Sequence, residues 1–251
     1  MKKYMEKRQH RWWRPGITLL AGAFACAVTL GPSSVEAAEK EAGIAAGLNW
    51  NHLTAPTDPA GEPTFMWGSA FTGFGTLLGA TASMDLSEVG SYQLRLTGDL
   101  LYGYHRGAGF AEHDEQGGRI DVQFTTHVVR LPVLARIGAS PGSSGPTVGA
   151  GLEPIFGVMS SAEVTTTGVE EQIQPVETTP STGMATVLAV GYEVRLDDMT
   201  IPLDARVSWN PFVGSSTEER MEDFQSLQNP GQYKMAFDWQ FMFTGAVRWG
   251  L

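Results

Sequence analysis

Between Phe237 and Leu251 every second residue is apolar or glycine: Phe237, Trp239, Phe241, Phe243, Gly245, Val247, Trp249 and Leu251. The intervening residues, Asp238, Gln240, Thr244, Ala246, Arg248 and Gly250, are polar or small, with Met242 the exception. Successive side chains of a β-strand point to opposite faces, so this stretch predicts a strand with one oily side and one wet or tightly packed side. Its fifteen residues exceed the ~5–6 usual for a soluble strand and suit a tilted strand crossing a bilayer.

The same alternation recurs at Tyr92–His105, Thr186–Leu196 and Ile201–Asn210, and less regularly at Gly43–Leu53, Phe71–Leu86 and Thr147–Val158. An eighth stretch, Ile120–Gly138, is out of phase with itself. With Ile120, Val122 and Phe124 outward, Arg130 and Arg136 would also face lipid, at about 2–4 kcal/mol each for a mid-bilayer arginine. A one-residue bulge near Thr125–Val128 is therefore expected, turning Val129, Leu131, Val133 and Ile137 out and both arginines in. Pro132 has no N–H to give a ladder and suits irregular pairing there.

The connections alternate in length. Long ones are Thr54–Met66, Gly107–Arg119, Thr165–Thr182 and Gly214–Lys234; short ones are Ser87–Ser91, Ala139–Pro146 and Asp197–Thr200. Eight strands with long loops at one end and short turns at the other predict an all-β fold, an eight-stranded antiparallel up-and-down transmembrane barrel with both termini periplasmic. Periodicity alone does not tell inside from outside, and a soluble lipocalin-like barrel alternates too. Three features favour the membrane version. The polar set is rich in Gly, Ala, Ser and Thr; the apolar set is free of charge once the bulge is allowed; and the last strand is the most aromatic. Aromatic residues near strand ends, among them Trp50, Trp67, Tyr104, Trp209 and Trp249, suit interfacial girdles.

The leader fits that location. Six basic residues precede an apolar run from Ile17 to Leu30, then Gly31-Pro32 and the small-residue site Val35-Glu36-Ala37. This describes a cleaved signal peptide over residues 1–37, with residues 38–251 forming the barrel. The lone Cys26 lies in the apolar run, so the mature chain is expected to hold no disulfide. Residues 1–37 carry six of the 17 basic and two of the 27 acidic groups, which leaves 11 against 25, net near −14. Such a chain has no overall electrostatic case for binding nucleic acid or anionic lipid directly. Beyond the leader no run approaches the ~18 apolar residues of a spanning helix.

Three segments carry a family likeness. Gly47-Leu48-Asn49-Trp50 resembles the Gly-Leu-Asn opening of PorT-type outer-membrane β-barrel domains. Asp99-Leu100-Leu101-Tyr102 resembles their Glu-Leu-Leu-Tyr strand, and Val128-Val129-Arg130-Leu131-Pro132-Val133-Leu134 their Tyr-Leu-Glu-Ile-Pro-Leu-Leu segment. Arg130 stands where the family usually has Glu, and the chain ends in Trp249-Gly250-Leu251 and not in the usual aromatic residue. The resemblance implies an eight-stranded barrel of the OmpA/OmpX kind with no agreed biochemical activity.

The inward phase brings twelve charges into the lumen: Arg95, Arg130, Arg136, Arg195, Arg206 and Arg248 with Asp99, Asp121, Glu153, Glu193, Asp204 and Asp238. Eight strands enclose a space that side chains just fill, so these charges are expected to pair. A packed ionic plug and a narrow gated ion path both use such a set. The surplus acid falls in the long loops, at Glu112, Asp114 and Glu115, at Glu170, Glu171 and Glu177, and at Glu218, Glu219, Glu222 and Asp223. A solvated surface, cations bridging to outer-membrane lipid, or a basic protein partner would each account for them. No G-x-S-x-G elbow or H-E-x-x-H is present; His105 and His113 with Glu112 and Asp114 are a weak metal pattern, and no catalytic, cofactor or metal residue is assigned. The expectation is a non-enzymatic anchor with lipid, the barrel-assembly machinery and a loop-bound protein as partners. A small channel and a lipid-modifying enzyme are the alternatives.

Overall fold

The structure is a computed structural model that describes residues 39–54, 71–113, 118–140, 142–168, 177–213, 232–235 and 237–251. Among the described residues eleven strands form, in chain order: β1 (Lys40–Leu53), β2 (Phe71–Val89), β3 (Tyr92–His113), β4 (Gly118–Arg130), β5 (Val133–Ala139), β6 (Gly145–Thr167), β7 (Glu177–Pro180), β8 (Thr182–Leu196), β9 (Met199–Trp209), β10 (Gln232–Met235) and β11 (Trp239–Gly250). β4 and β5 are one spanning strand interrupted at Leu131-Pro132, and both pair β3 on one side and β6 on the other. Counted so, eight antiparallel strands close into a ring, with β1 joining β11 from Glu41↔Gly250 to His52↔Trp239. β7 and β10 form a separate two-stranded parallel sheet.

The short turns tighten at Gly90 and Gly142, both at positive φ, where a side chain would be strained. The described chain ends lie at this turn end of the barrel: Leu251 N–H donates to Lys40 C=O at 2.9 Å. Proline interrupts the ladders where its missing N–H predicts. Leu131 N–H donates to Pro154 C=O and Asp99 N–H to Pro132 C=O across the β4–β5 gap.

The out-of-phase strand resolves differently from the sequence expectation. Val122 and Phe124 are 4% exposed and face inward, in phase with Thr126, Val128, Arg130, Leu134 and Arg136, all buried. No reset occurs along β4. The register does shift between His127 and Val128 against β6, but the extra residue is on β6, where Val158 is skipped between Gly157 and Met159. Val158 and Met159 are consecutive and both more than half exposed, as a bulge requires.

A second correction concerns the loop end. Residues 107–113, 118–119 and 165–167, expected in loops, are strand: the β3–β4 ladder runs to His113↔Gly118 and the β4–β6 ladder to Arg119↔Thr167. β3 and β6, at 22 and 23 residues, therefore rise with β4 as a three-stranded wall above the ring. The wall's inner face carries Val122 and Phe124, which close a cluster with Leu53, Phe71 and Phe237 across the barrel mouth, flanked by Ala162 and Val164. Its outer face carries Arg119, Asp121, Gln123 and Thr125. The alternation there is of soluble type, oily inside and polar outside.

Because the bulge belongs to β6, removing one residue from each strand has opposite effects. Deleting Val158 keeps Gly157 inward and Met159 outward, so the variant is expected to fold with near-wild-type denaturation midpoint. Deleting Thr125 turns Val122 and Phe124 outward and withdraws two large apolar side chains from the plug, at about 1.5–3 kcal/mol each. A lower midpoint for the Val158 deletion than for the Thr125 deletion, by guanidinium titration in detergent, would contradict this assignment.

Candidate functional site: the charged lumen

Every charged side chain that closure brings inside has a partner within the wall. At the loop-end half Arg130 and Glu153, both without exposed side-chain area, form a two-pronged pair through Nε and Nη2 at 2.7 Å each. Ser208 Oγ donates to the same carboxylate at 2.7 Å. At mid-barrel Arg206 lies between Asp99 at 2.6 Å and Asp204 at 3.0 Å, and Arg136 pairs with Asp204 and donates to Thr147 Oγ1 at 3.0 Å. Toward the turn end Arg95 bridges Asp85 and Glu193. There Glu41 accepts from Ser83 Oγ at 2.9 Å and Thr200 Oγ1 at 2.6 Å, with Arg195 and Arg248 each 3.8 Å away. Arg248 is the most loosely held cation, with Glu193 at 3.7 Å.

The membership of this network differs from the sequence list at two acids. Asp121 is not in the lumen. It sits on the outer face of the wall in a half-exposed pair with Arg119 at 2.7 Å, whose hydrogen bond holds its carboxyl below the usual carboxylate range. Its odd phase in β4 places it outward once the bulge is known to lie on β6. Asp238 is buried and has no cation partner among the described residues; it accepts the backbone N–H groups of Thr54 and Trp239 at 3.0 and 3.1 Å, fixing the start of β11. Glu41 and Asp85 take their places. Both follow the inward phase of their strands, β1 beginning three residues earlier than the alternation suggested and β2 continuing past a register shift at Asp85/Ser87. Arg95, Arg130, Arg136, Arg195, Arg206 and Arg248 with Asp99, Glu153, Glu193 and Asp204 lie inside, where their phase put them. Arg195 is at the turn-end rim, where Glu39 reaches it at 3.4 Å.

Above the ions an uncharged polar layer was missed from the sequence, because amides and one imidazole do not register in a census of charge. Asn49, Asn51, His105 and Gln240 are all at most 5% exposed, and Gln240 Nε2 donates to Asn51 Oδ1 at 2.6 Å. His105 Nδ1 lies 2.6 Å from the Asn49 amide and 2.9 Å from Asn51 Oδ1. A residual cavity of ≈ 30 Å³ lies beside His105, Thr126, Asn210 and Gln240. The apolar cluster lies over it, with Phe71 packed edge-on to Phe124 at 4.6 Å. His105 does not pair with His113 as a metal site: the unbroken β3 puts eight residues, about 26 Å, between them. Among the described residues no group of three or more His, Cys, Asp or Glu is placed to hold a metal. The loop acids Asp114, Glu115, Glu170, Glu171, Glu218, Glu219, Glu222 and Asp223 lie outside the described residues, as do the side chains of Glu112 and Glu177.

The outward faces complete the picture. Ile44, Leu48, Phe74, Leu78, Leu100, Val148, Leu188, Val190, Leu203 and Phe243 are each more than half exposed. Between the turn-end acids and the Tyr104–His127 row no outward position of the eight strands is charged. A ring of eight antiparallel strands with an apolar exterior and a neutralised ionic interior defines the class, an eight-stranded β-barrel. No family model matches the chain, and no curated protein does. Among solved structures, neisserial surface protein A (NspA) matches at 10% identity over 86% of this chain and 100% of its own, with a TM-score of 0.39. The outer membrane protein OprG from Pseudomonas aeruginosa matches at 8% identity over 85% and 95%, TM-score 0.32. Ail, the attachment invasion locus protein of Yersinia pestis, solved in complex with sucrose octasulfate, matches at 11% over 84% and 97%, TM-score 0.25. At such levels the strand count and closure of this chain stand on its own ladders.

The Arg130–Glu153 pair offers a direct test of how the lumen is held. Arg130→Met alone strands a buried carboxylate and is expected to cost about 3–5 kcal/mol, whereas Arg130→Met with Glu153→Leu recovers most of that loss. Denaturant titration of the three proteins in one detergent decides it; equal losses in the single and double variants would show that the pair is not the holding element.

Proposed function

We propose that the chain is an integral outer-membrane β-barrel acting as a rigid, non-enzymatic anchor, which presents its loop end for interaction or envelope integrity. The observation that carries this reading is the outward face: large apolar side chains at high exposure and no charge along the spanning stretch of eight strands. Such a band is an aggregation hazard in water and the required surface in lipid. Exposed contiguous patches on soluble monomers rarely exceed a few hundred Å². The segments Gly47–Trp50 on β1, Asp99–Tyr102 on β3 and Val128–Leu134 across the β4–β5 junction support a PorT-like assignment. In this orientation the turn end, with both described chain ends, is periplasmic.

Rigidity without conduction is supported by the stacking inside. An ion would have to pass paired guanidiniums and carboxylates, then the amide layer, then the Leu53–Phe71–Val122–Phe124–Phe237 cluster. The non-enzymatic part rests on what the histidines touch. His105 is held by amides, His127 by the Tyr102 hydroxyl, and His52 stacks on Trp50; none is bonded to a serine among the described residues.

The experiment is gel mobility of the mature chain with and without boiling, together with flotation on lipid vesicles after a urea wash. A heat-modifiable band that floats is expected, and planar-bilayer recording of the same sample is expected to show no unitary current. A chain that stays soluble in plain buffer without a mobility shift would sink the membrane reading, and steady unitary conductance would replace the anchor with the channel.

A further inference from the structure

The outward face changes character at one row of the β3–β4 ladder. Below it lie Leu100, Tyr102 and Val129; above it lie Arg106, Thr125 and Gln123; the row itself is Tyr104↔His127. If the barrel is seated in a bilayer as proposed above, this row marks the outer-leaflet boundary, and Arg106 is the first charge above the hydrocarbon. Arg106 is exposed and, among the described residues, has no carboxylate partner, whereas Arg119 higher on the wall is engaged with Asp121. Its neighbours on the same face are Thr125 directly across, Tyr104 two residues before it, and Phe74 on β2. Phe74 is 74% exposed and forms an oily floor with Leu78 and Leu100.

His127 sits diagonally from Arg106, roughly 7–8 Å away by strand geometry and within reach of a long side chain. Its Nδ1 meets the Tyr102 hydroxyl, and the Tyr104 ring stacks edge-on at 5.1 Å. With the phenol donating to Nδ1, the imidazole Nε2 carries the proton and is left as the ring's own donor. A fork of guanidinium N–H groups, a ring N–H and the Thr125 hydroxyl, over an apolar floor, is the arrangement that takes a phosphate whose carbon chains run down the wall.

We propose that this outward cluster, Arg106 with His127, Thr125 and Tyr104, binds the anionic phosphate-monoester headgroup of an outer-leaflet lipid, its acyl chains lying along Phe74, Leu78 and Leu100. The inference rests on the membrane reading. The charge pattern favours a lipid at this rim over the turn end: here the described outward charges are Arg106, Arg119, Asp121 and Glu163, with Arg119 and Asp121 paired, whereas at the turn end the acids Glu88, Asp197 and Asp198 outnumber Lys40. A barrel of net charge near −14 over residues 38–251 attracts an anionic headgroup only where a cation stands free of its own acids.

The test uses the mature barrel in a zwitterionic detergent, with native mass spectrometry counting retained dioleoylphosphatidic acid, dioleoylphosphatidylcholine or inorganic phosphate. Preferential retention of one phosphatidic acid is expected, weakened about tenfold by Arg106→Gln, less by His127→Gln, and unchanged by Arg119→Gln. Equal retention by Arg106→Gln, equal retention of phosphatidylcholine, or displacement of the lipid by inorganic phosphate would each overturn the site. A chain that never gives the heat-modifiable form overturns the membrane reading and this site with it. A folded barrel without lipid selectivity sinks the site alone.

Discussion

Everything inside this barrel follows from the narrowness of an eight-strand closure. The space is about as wide as the side chains that fill it, so an arginine in it is stripped of water and needs a carboxylate within reach. The six arginines and the acids Glu41, Asp85, Asp99, Glu153, Glu193 and Asp204 meet that need in pairs and shared triads. Room for them comes from what faces them. A side chain at Gly149 would press on the Arg136 Cγ at 2.9 Å, and one at Gly191 would collide with the Asp204 carboxylate. The glycines that interrupt the alternation are thus the spatial complement of the ions, and the remaining inward volume goes to small apolar groups such as Leu77, Leu101 and Met242 on one side and Leu134, Val187 and Ala189 on another.

On the proposed membrane reading, the long strands β3, β4 and β6 meet two solvents along one backbone. Along β4 and β5 the even positions are inward throughout and the odd positions outward. Only the residue types exchange: Val122 and Phe124 give way to Arg130 and Arg136 on the inside, while Asp121, Gln123 and Thr125 give way to Val129, Leu131, Val133 and Ile137 on the outside. In the lower part the favourable place for apolar surface is the exterior and the interior is closed by charge pairing. In the wall the hydrophobic effect acts in the ordinary sense, and the plug of Leu53, Phe71, Val122, Phe124 and Phe237 is a small soluble-type core. A change of solvent leaves the pleat untouched and inverts what each face must carry.

That inversion also sets how far the sequence could be read. Seven of the eight spanning strands were legible because alternation with a fixed period of two survives in any closed barrel, and the closing strand from Trp239 to Gly250 was the plainest. In the eighth, the cost of a lipid-facing arginine correctly turned Arg130 and Arg136 inward. The error lay in assigning Val122 and Phe124 to lipid, which assumed one environment along the whole strand and so required a phase reset. Reading the phase back from Arg130 places Val122 and Phe124 inside with no bulge on β4, and places Asp121 outside. The bulge at Val158 was beyond reach, since Gly157-Val158-Met159 fits either phase. Glu41 and Asp85 were within reach had the alternation been carried further, and the Asn49–Asn51–His105–Gln240 layer had one had polarity been counted in place of charge.

A neutral interior has a consequence for where this protein meets its surroundings. The lumen pairs balance, so the net charge near −14 of residues 38–251 is carried outside it. The band between the rims is uncharged and differs little from one strand to the next, which makes it a surface for a fluid solvent and not for a specific partner. Selectivity then has to come from the rims, where charge resumes, and the two rims are unlike. The turn end is acid-rich and compact, built on tight turns at Gly90 and Gly142. Among the described residues the loop end rises on the β3–β4–β6 wall, which puts Arg106 and the Arg119–Asp121 pair on one continuous ladder. On the proposed membrane reading, the difference between the two ends is set by which strands outrun the ring, and the paired interior holds that wall in place.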